Sequence, residues 1–181
     1  MTLFMIGAML AVQTSSPPKG GPVVSLTITS AAFKNNGEIP NVYTCEGKNI
    51  SPPLAWTGVP AGTKSLVLVV DDPDAPDPKA PKMTWVHWVL IIPPDATGLL
   101  EGAKNLPAGT MQGTNDFKKA AWGGPCPPVG RHRYFFKLYA LSETLPPFDH
   151  GAHPTKAQVE IAMKDKVLAQ TQLIGTYEKA H

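Results

Sequence analysis

The chain has 181 residues, 43% hydrophobic and 17% charged, which suits one globular domain with its own core better than two. With 16 Lys and Arg against 14 Asp and Glu, the formal charge is only +2, and the basic residues are scattered, which argues against a nucleic-acid surface. Its 20 prolines and 16 glycines point to short elements joined by many rigid turns, because proline fixes φ and removes a backbone donor.

Residues 1–12 form an apolar block from Met1 to Val12, followed by Gln13-Thr14-Ser15-Ser16-Pro17-Pro18. The block is too short for a bilayer span, which needs about 20 apolar residues. It has the length of the apolar region of a signal peptide but lacks a preceding Lys or Arg. Residues 1–22 are therefore read as a leader remnant and linker, and 23–181 as the folded domain. The expectation is a periplasmic or secreted protein without a transmembrane span; the alternative is a cytoplasmic one.

Strand signals dominate the remainder of the chain. Val23–Thr29 alternates and is rich in β-branched residues. Lys64–Val70 is a continuous apolar run, as expected of a central strand covered on both faces. Thr84–Ile92 is a second run, closed by Pro93-Pro94; His132–Leu141 is the longest, and Thr171–Tyr177 reads as a terminal strand. Loops are expected at Ser51-Pro52-Pro53, Asp72–Pro76 and Gly123–Pro128. Thr155-Lys156-Ala157-Gln158 is a capping box that opens a helix, with Val159, Ala162, Met163 and Lys166 at helical spacing as the stripe laid on the sheet. The expected fold is mostly β, a two-sheet antiparallel β-sandwich with one or two peripheral helices near the C-terminus.

Two cysteines occur, Cys45 and Cys126, without the paired spacing of a structural zinc site. Export would allow them to form a disulfide; a reducing compartment would leave two thiols. Neither metal nor cofactor is expected.

Three polar residues stand beside apolar strands. A period of two places Trp85, His87, Val89 and Ile91 on one face, and His132, Tyr134, Phe136 and Leu138 on one face of the later strand. His132 and Tyr134 are then about 7 Å apart along the strand. Asp72 sits where the Lys64–Val70 run gives way to a proline-rich turn. Taken singly, a strand histidine is more often a satisfied core residue, and Asp-Pro-Asp-Ala-Pro is a competent turn. Asp72, His87 and His132 are also the ligand types of non-haem iron oxygenases, and His132 could serve a hydrolase as base. Against a hydrolase, the chain has no Gly-x-Ser-x-Gly elbow.

Two segments carry a resemblance: Asp72-Pro73-Asp74-Ala75-Pro76 followed by Trp85-Val86-His87, and Gly124-Pro125-Cys126-Pro127-Pro128 leading into Gly130-Arg131-His132-Arg133-Tyr134. They resemble the phosphatidylethanolamine-binding protein family, specifically its bacterial branch of Raf kinase inhibitor-like proteins. Ile39–Pro53 and Leu106–Phe117 resemble that branch too, and the likeness runs from about Ser25 to Tyr177. It implies a small cavity at one end of a two-sheet β-fold, lined by Asp72, His87 and His132. Asp74, Pro127 and Tyr134 would lie close by, and the loop with Gly124, Pro125 and Cys126 would form another part of the wall. Cys126 stands where many eukaryotic relatives carry glycine, which would add a thiol at the rim.

The implied function is non-catalytic binding of a small anion, whether phosphate, carboxylate or phospho-head group, with modulation of a protein partner such as a kinase or protease. Both imidazoles, near Asp72, are expected to be cationic and to donate to the anion beside the Tyr134 hydroxyl, so that binding weakens as pH rises. The alternative is an enzyme built on the Asp/His/His set, either a metal-dependent oxygenase or a hydrolase. Oligomeric state is left open between monomer and homodimer.

Overall fold

A computed structural model describes residues 25–103, 105–148 and 153–180, so the apolar block, the linker and Val23-Val24 lie outside the described residues. In chain order the strands are β1 (Thr27–Thr29), β2 (Gly37–Glu38), β3 (Leu54–Thr57), β4 (Ser65–Asp72), β5 (Trp85–Ile92), β6 (Gly98–Leu99), β7 (Met111–Gln112), β8 (His132–Leu141) and β9 (Val167–Tyr177), with helix α1 (Lys156–Met163) before β9. A large sheet runs β2-β9-β8-β4-β5-β7 and a small one β1-β3-β6. Neighbouring strands are antiparallel except β2 and β9, which pair in parallel.

Every residue of β4 is buried, and its position explains why its sequence does not alternate. Leu66, Leu68 and Val70 enter the core between the sheets with Ile28, Leu54, Trp56 and Leu99. Val67 and Val69 face the other way, under Val159 and Met163 of α1. A strand covered on both sides has no solvent face to mark with polar residues.

Helix α1 begins as its sequence predicts. Thr155 accepts from the Gln158 amide at 3.3 Å, and its own amide donates to Gln158 Oε1 at 2.9 Å. Its end falls short of the predicted stripe. Lys164 leaves helical geometry with a ψ of 136° and Asp165 follows with a φ of +63°, so Lys166 lies beyond α1.

Two further differences are local. β9 starts four residues before the predicted Thr171, its early residues being half polar and exposed. β3 is not among the predicted strands, yet Leu54 and Trp56 alternate inward between β1 and β6. Four residues are too few for periodicity to stand out beside two prolines.

Candidate functional site

His87 owes its position to an irregularity in strand pairing. Along β4 and β5, Val70 opposes Trp88 while the next residue, Asp71, opposes Val86, so His87 is an extra residue on β5. Such a bulge turns the strand and reverses its alternation. Val89, Ile91 and Val86 pack on the α1 side, whereas Trp88, Leu90 and Ile92 face the core. His87 and Trp85 instead line a cavity of roughly 410 Å³. The predicted single face of Trp85, His87, Val89 and Ile91 is therefore split in two.

Groups outside the strands hold the bulge. The His87 carbonyl accepts from the Gly123 amide at 3.1 Å and from Asn115 Nδ2 at 3.2 Å. Beside it, the Val86 amide donates to Asp116 Oδ2 at 2.7 Å, and the Asp116 amide donates to the Val86 carbonyl at 3.0 Å. Asn115 and Asp116 thus replace a neighbouring strand. Sequence reasoning missed their role; the available signal was their place in the Leu106–Phe117 segment.

A further wall is the loop around residues 122–128. Its Gly124 amide donates to Asn49 Oδ1 at 2.8 Å, its Pro125 carbonyl accepts from the Cys45 amide at 3.0 Å, and its Trp122 Nε1 donates to the Tyr43 carbonyl at 3.2 Å. A Cys45–Cys126 disulfide, with Cα atoms 5.4 Å apart, joins the same two loops. The thiol expected at the rim is therefore replaced by a disulfide.

Of the predicted site residues, Asp72, His87, Cys126, Pro127, His132 and Tyr134 line the cavity. Gly124 and Pro125 sit behind it as anchors of the loop. Asp74 is turned away: its buried carboxylate accepts from the Arg133 amide and Nε, each at 2.9 Å, and from Nη2 at 2.7 Å. Those bonds to Arg133 hold the Asp74 pKa below the usual carboxylate value. Its role is to tie the 72–76 turn, which contains a cis Ala75–Pro76 bond, to β8. Lining residues not picked out as site residues include Lys82, Met83 and Phe117.

The two histidines differ in what they can still do. His132 is fully buried, with Nδ1 2.7 Å from Asp72 Oδ2 and Nε2 3.1 Å from the Val129 carbonyl. Both nitrogens face acceptors, so this ring is neither a free donor to a ligand nor a free base. The other Asp72 oxygen accepts from the Asp74 amide at 2.8 Å. His87 Nδ1 lies 2.6 Å from the Gly123 carbonyl, which can only accept; Nδ1 therefore carries a hydrogen, and on a neutral ring Nε2 keeps a lone pair. Burial drives the His87 pKa below its ordinary value, outweighing the pull of the Gly123 bond and of Asp72, and so favours the neutral ring over the expected cation. Its Nε2 has no protein partner, nor does the Tyr134 hydroxyl, whose pKa burial and then the Asp72 charge push upward, leaving a phenol that can donate. The Tyr134 ring meets His87 edge-on, with centroids 5.2 Å apart.

The geometry also bears on the ligand set of the oxygenase alternative. Among the described residues no three His, Cys, Asp or Glu side chains form a metal-holding group, and both His132 nitrogens are engaged elsewhere. Among the same residues, no helix is long and apolar enough to cross a membrane.

A two-sheet β-fold with a buried Asp–His pair and a bulge-aimed histidine at one cavity defines a recognisable class of protein. The family model for phosphatidylethanolamine-binding protein matches residues 29–178, and the chain belongs to that family. It is 49% identical to the UPF0098 protein of Methanothermobacter thermautotrophicus over 85% of this chain and 99% of that one. Among solved structures, a phosphatidylethanolamine-binding protein homologue from Chlamydia trachomatis is 39% identical with a TM-score of 0.79, covering 87% of this chain and 99% of the other. Escherichia coli YbcL, described as a member of the mammalian family, is 34% identical with a TM-score of 0.76, covering 86% of this chain and 99% of the other.

Proposed function

We propose that this chain is a non-catalytic binding module whose cavity takes a small anionic group, a phosphate, a carboxylate or a phospho-head group, and which modulates a protein partner of the kinase or protease kind. The observation that carries the reading is the pair of buried, unpartnered polar atoms, His87 Nε2 and the Tyr134 hydroxyl, on residues lining one cavity. A buried polar group without a partner costs about 1–3 kcal/mol, and a ligand that bonds both recovers that cost. Proline and disulfide in the wall hold its shape before the ligand arrives, which lowers the ordering cost of binding. Lys82 at the exposed rim supplies positive charge to an approaching anion.

Calorimetric titration with phosphate and phosphoethanolamine tests the reading. The wild-type protein binds at least one of them, and Tyr134→Phe and His87→Ala each weaken it by about tenfold, the effect of one hydrogen bond to a charged group. No binding by the wild type at millimolar ligand would end the proposal.

The proposal extends to compartment. We place the working protein in an oxidising space, periplasmic or extracellular, because disulfides persist there and are removed in a reducing cytosol. Intact masses of protein taken from its native source, measured before and after reduction, differ by two hydrogens if this is so.

A further inference from the structure

We propose that the cavity selects an oxyanion that still carries a hydrogen, specifically the monoanion of a phosphate monoester, over anions of similar shape that carry none. The inference rests on the anion-binding reading above and narrows its ligand class.

The starting point is that the two unpartnered groups are opposite in kind. The Gly123 carbonyl, 2.6 Å from His87 Nδ1, takes the one hydrogen of the neutral ring and so leaves a lone pair on Nε2. The Tyr134 hydroxyl has no protein acceptor and is free to donate. One bare oxyanion can satisfy the phenol, but its other oxygens then meet the Nε2 lone pair and are repelled. A phosphate monoester monoanion satisfies both, its P–OH donating to Nε2 while a charged oxygen accepts from Tyr134.

The alternative, a proton on His87, is opposed by the same surroundings. His87 is 3% exposed, and desolvation of its cation outweighs the influence of Asp72, Asp71 and Asp116. Asp72 has both oxygens occupied by the Asp74 amide and His132 Nδ1, and both His132 nitrogens are engaged. The remaining cation on the lining, Lys82, is at the exposed rim. Carboxylates and sulfate esters carry no proton near neutral pH, whereas a phosphate monoester loses its second proton at a pKa of about 6. The walls favour an organic ester over the inorganic ion, since Trp85, Met83 and Phe117 line the cavity and the last two are 53% and 38% exposed at its mouth.

The test compares phenyl phosphate, phenyl sulfate and benzoate by calorimetry on the wild-type protein at about pH 6, where roughly half the phosphate ester is monoanion, and at about pH 8, where about 1% is. At the lower pH, phenyl phosphate binds at least about tenfold more tightly than phenyl sulfate or benzoate, one such hydrogen bond being worth about 1.4 kcal/mol. Between the two pH values its apparent affinity falls about fifty-fold, following the monoanion fraction. Equal binding of phosphate and sulfate esters, or a phosphate affinity that does not fall with pH, overturns the inference while leaving the anion site standing. Failure of all three ligands to bind overturns the site reading and this inference together. In His87→Phe the phosphate-to-sulfate preference collapses towards one, whereas Tyr134→Phe weakens both esters alike. If either variant misfolds, the wild-type comparison still decides.

Discussion

Asn115 touches no proposed ligand atom, yet its amide fixes the bulge that aims His87. Its Nδ2 donates to the His87 and Ala121 carbonyls at 3.2 and 2.8 Å, and its Oδ1 accepts from the Lys119 amide at 3.0 Å. Asn115→Ala leaves these groups unmatched in a buried setting, at a cost of about 2 kcal/mol, or ~4–8 °C in Tm for a chain of this size. Thermal unfolding monitored by circular dichroism checks it. His87 itself links stability to pH. Its folded pKa is lowered by burial, so on acidification the unfolded chain takes up the proton first. The stability this neutral ring contributes is present above its unfolded pKa, near 6.5, and is lost as pH falls below that value towards the folded pKa. Tm measured from about pH 8 down to about pH 5 falls in the acid half of that range, and His87→Phe flattens that part of the profile. Asp74 has the same sign in a lower window: its carboxyl is held down by Arg133, so its contribution disappears only as pH falls through the acidic carboxylate range.

At the scale of elements, α1 is pinned to the large sheet by more than Val159 and Met163. Beneath it the fully buried Asp71 carboxylate has Lys137 Nζ at 2.8 Å and Lys156 Nζ at 2.6 Å, one from β8 and one from the helix. Either lysine alone can neutralise the carboxylate, and each keeps part of its side chain in solvent. Lys137→Met or Lys156→Met therefore costs about 1 kcal/mol, whereas the double substitution strands a buried charge and costs about 3–5 kcal/mol, more than the sum. Urea midpoints of the four proteins in this cycle measure the difference. Legibility at this scale followed the strength of the apolar signal within each element. β4, β5 and β8 were readable because 8 to 10 residues carry a clear apolar or alternating signal. The two-residue strands β2, β6 and β7 were not, because pairing with a neighbour defines them more than their own composition does.

At the scale of the whole molecule, the Cys45–Cys126 bond ties loops 81 residues apart and closes the cavity wall. Cross-linking a loop of that length restricts the unfolded chain by an amount worth about 4 kcal/mol in the chain-entropy model. The double variant Cys45→Ser/Cys126→Ser is therefore destabilised by up to about 4 kcal/mol, read from denaturant unfolding, and adding a dithiol reductant leaves its midpoint unchanged while lowering that of the wild type. The same loops carry three backbone and side-chain hydrogen bonds, so the variant still folds with its cavity wall in place.

What the amino-acid sequence determined by itself was local or carried by motif: the central strands, the capped start of α1, and the short set of polar residues worth watching. The periodicity of β8 correctly placed His132 and Tyr134 on one face, because that strand is regular through both. The rest depended on groups distant along the chain. Which way His87 points was decided by a bulge against β4, held by Asn115 and Gly123. Which histidine keeps a free nitrogen was decided by carbonyls at Val129 and Gly123, and whether the cysteines met was decided by two packed loops. Hydrogen-bonding capacity and desolvation belong to a site's surroundings, and those surroundings exist only once the chain has folded.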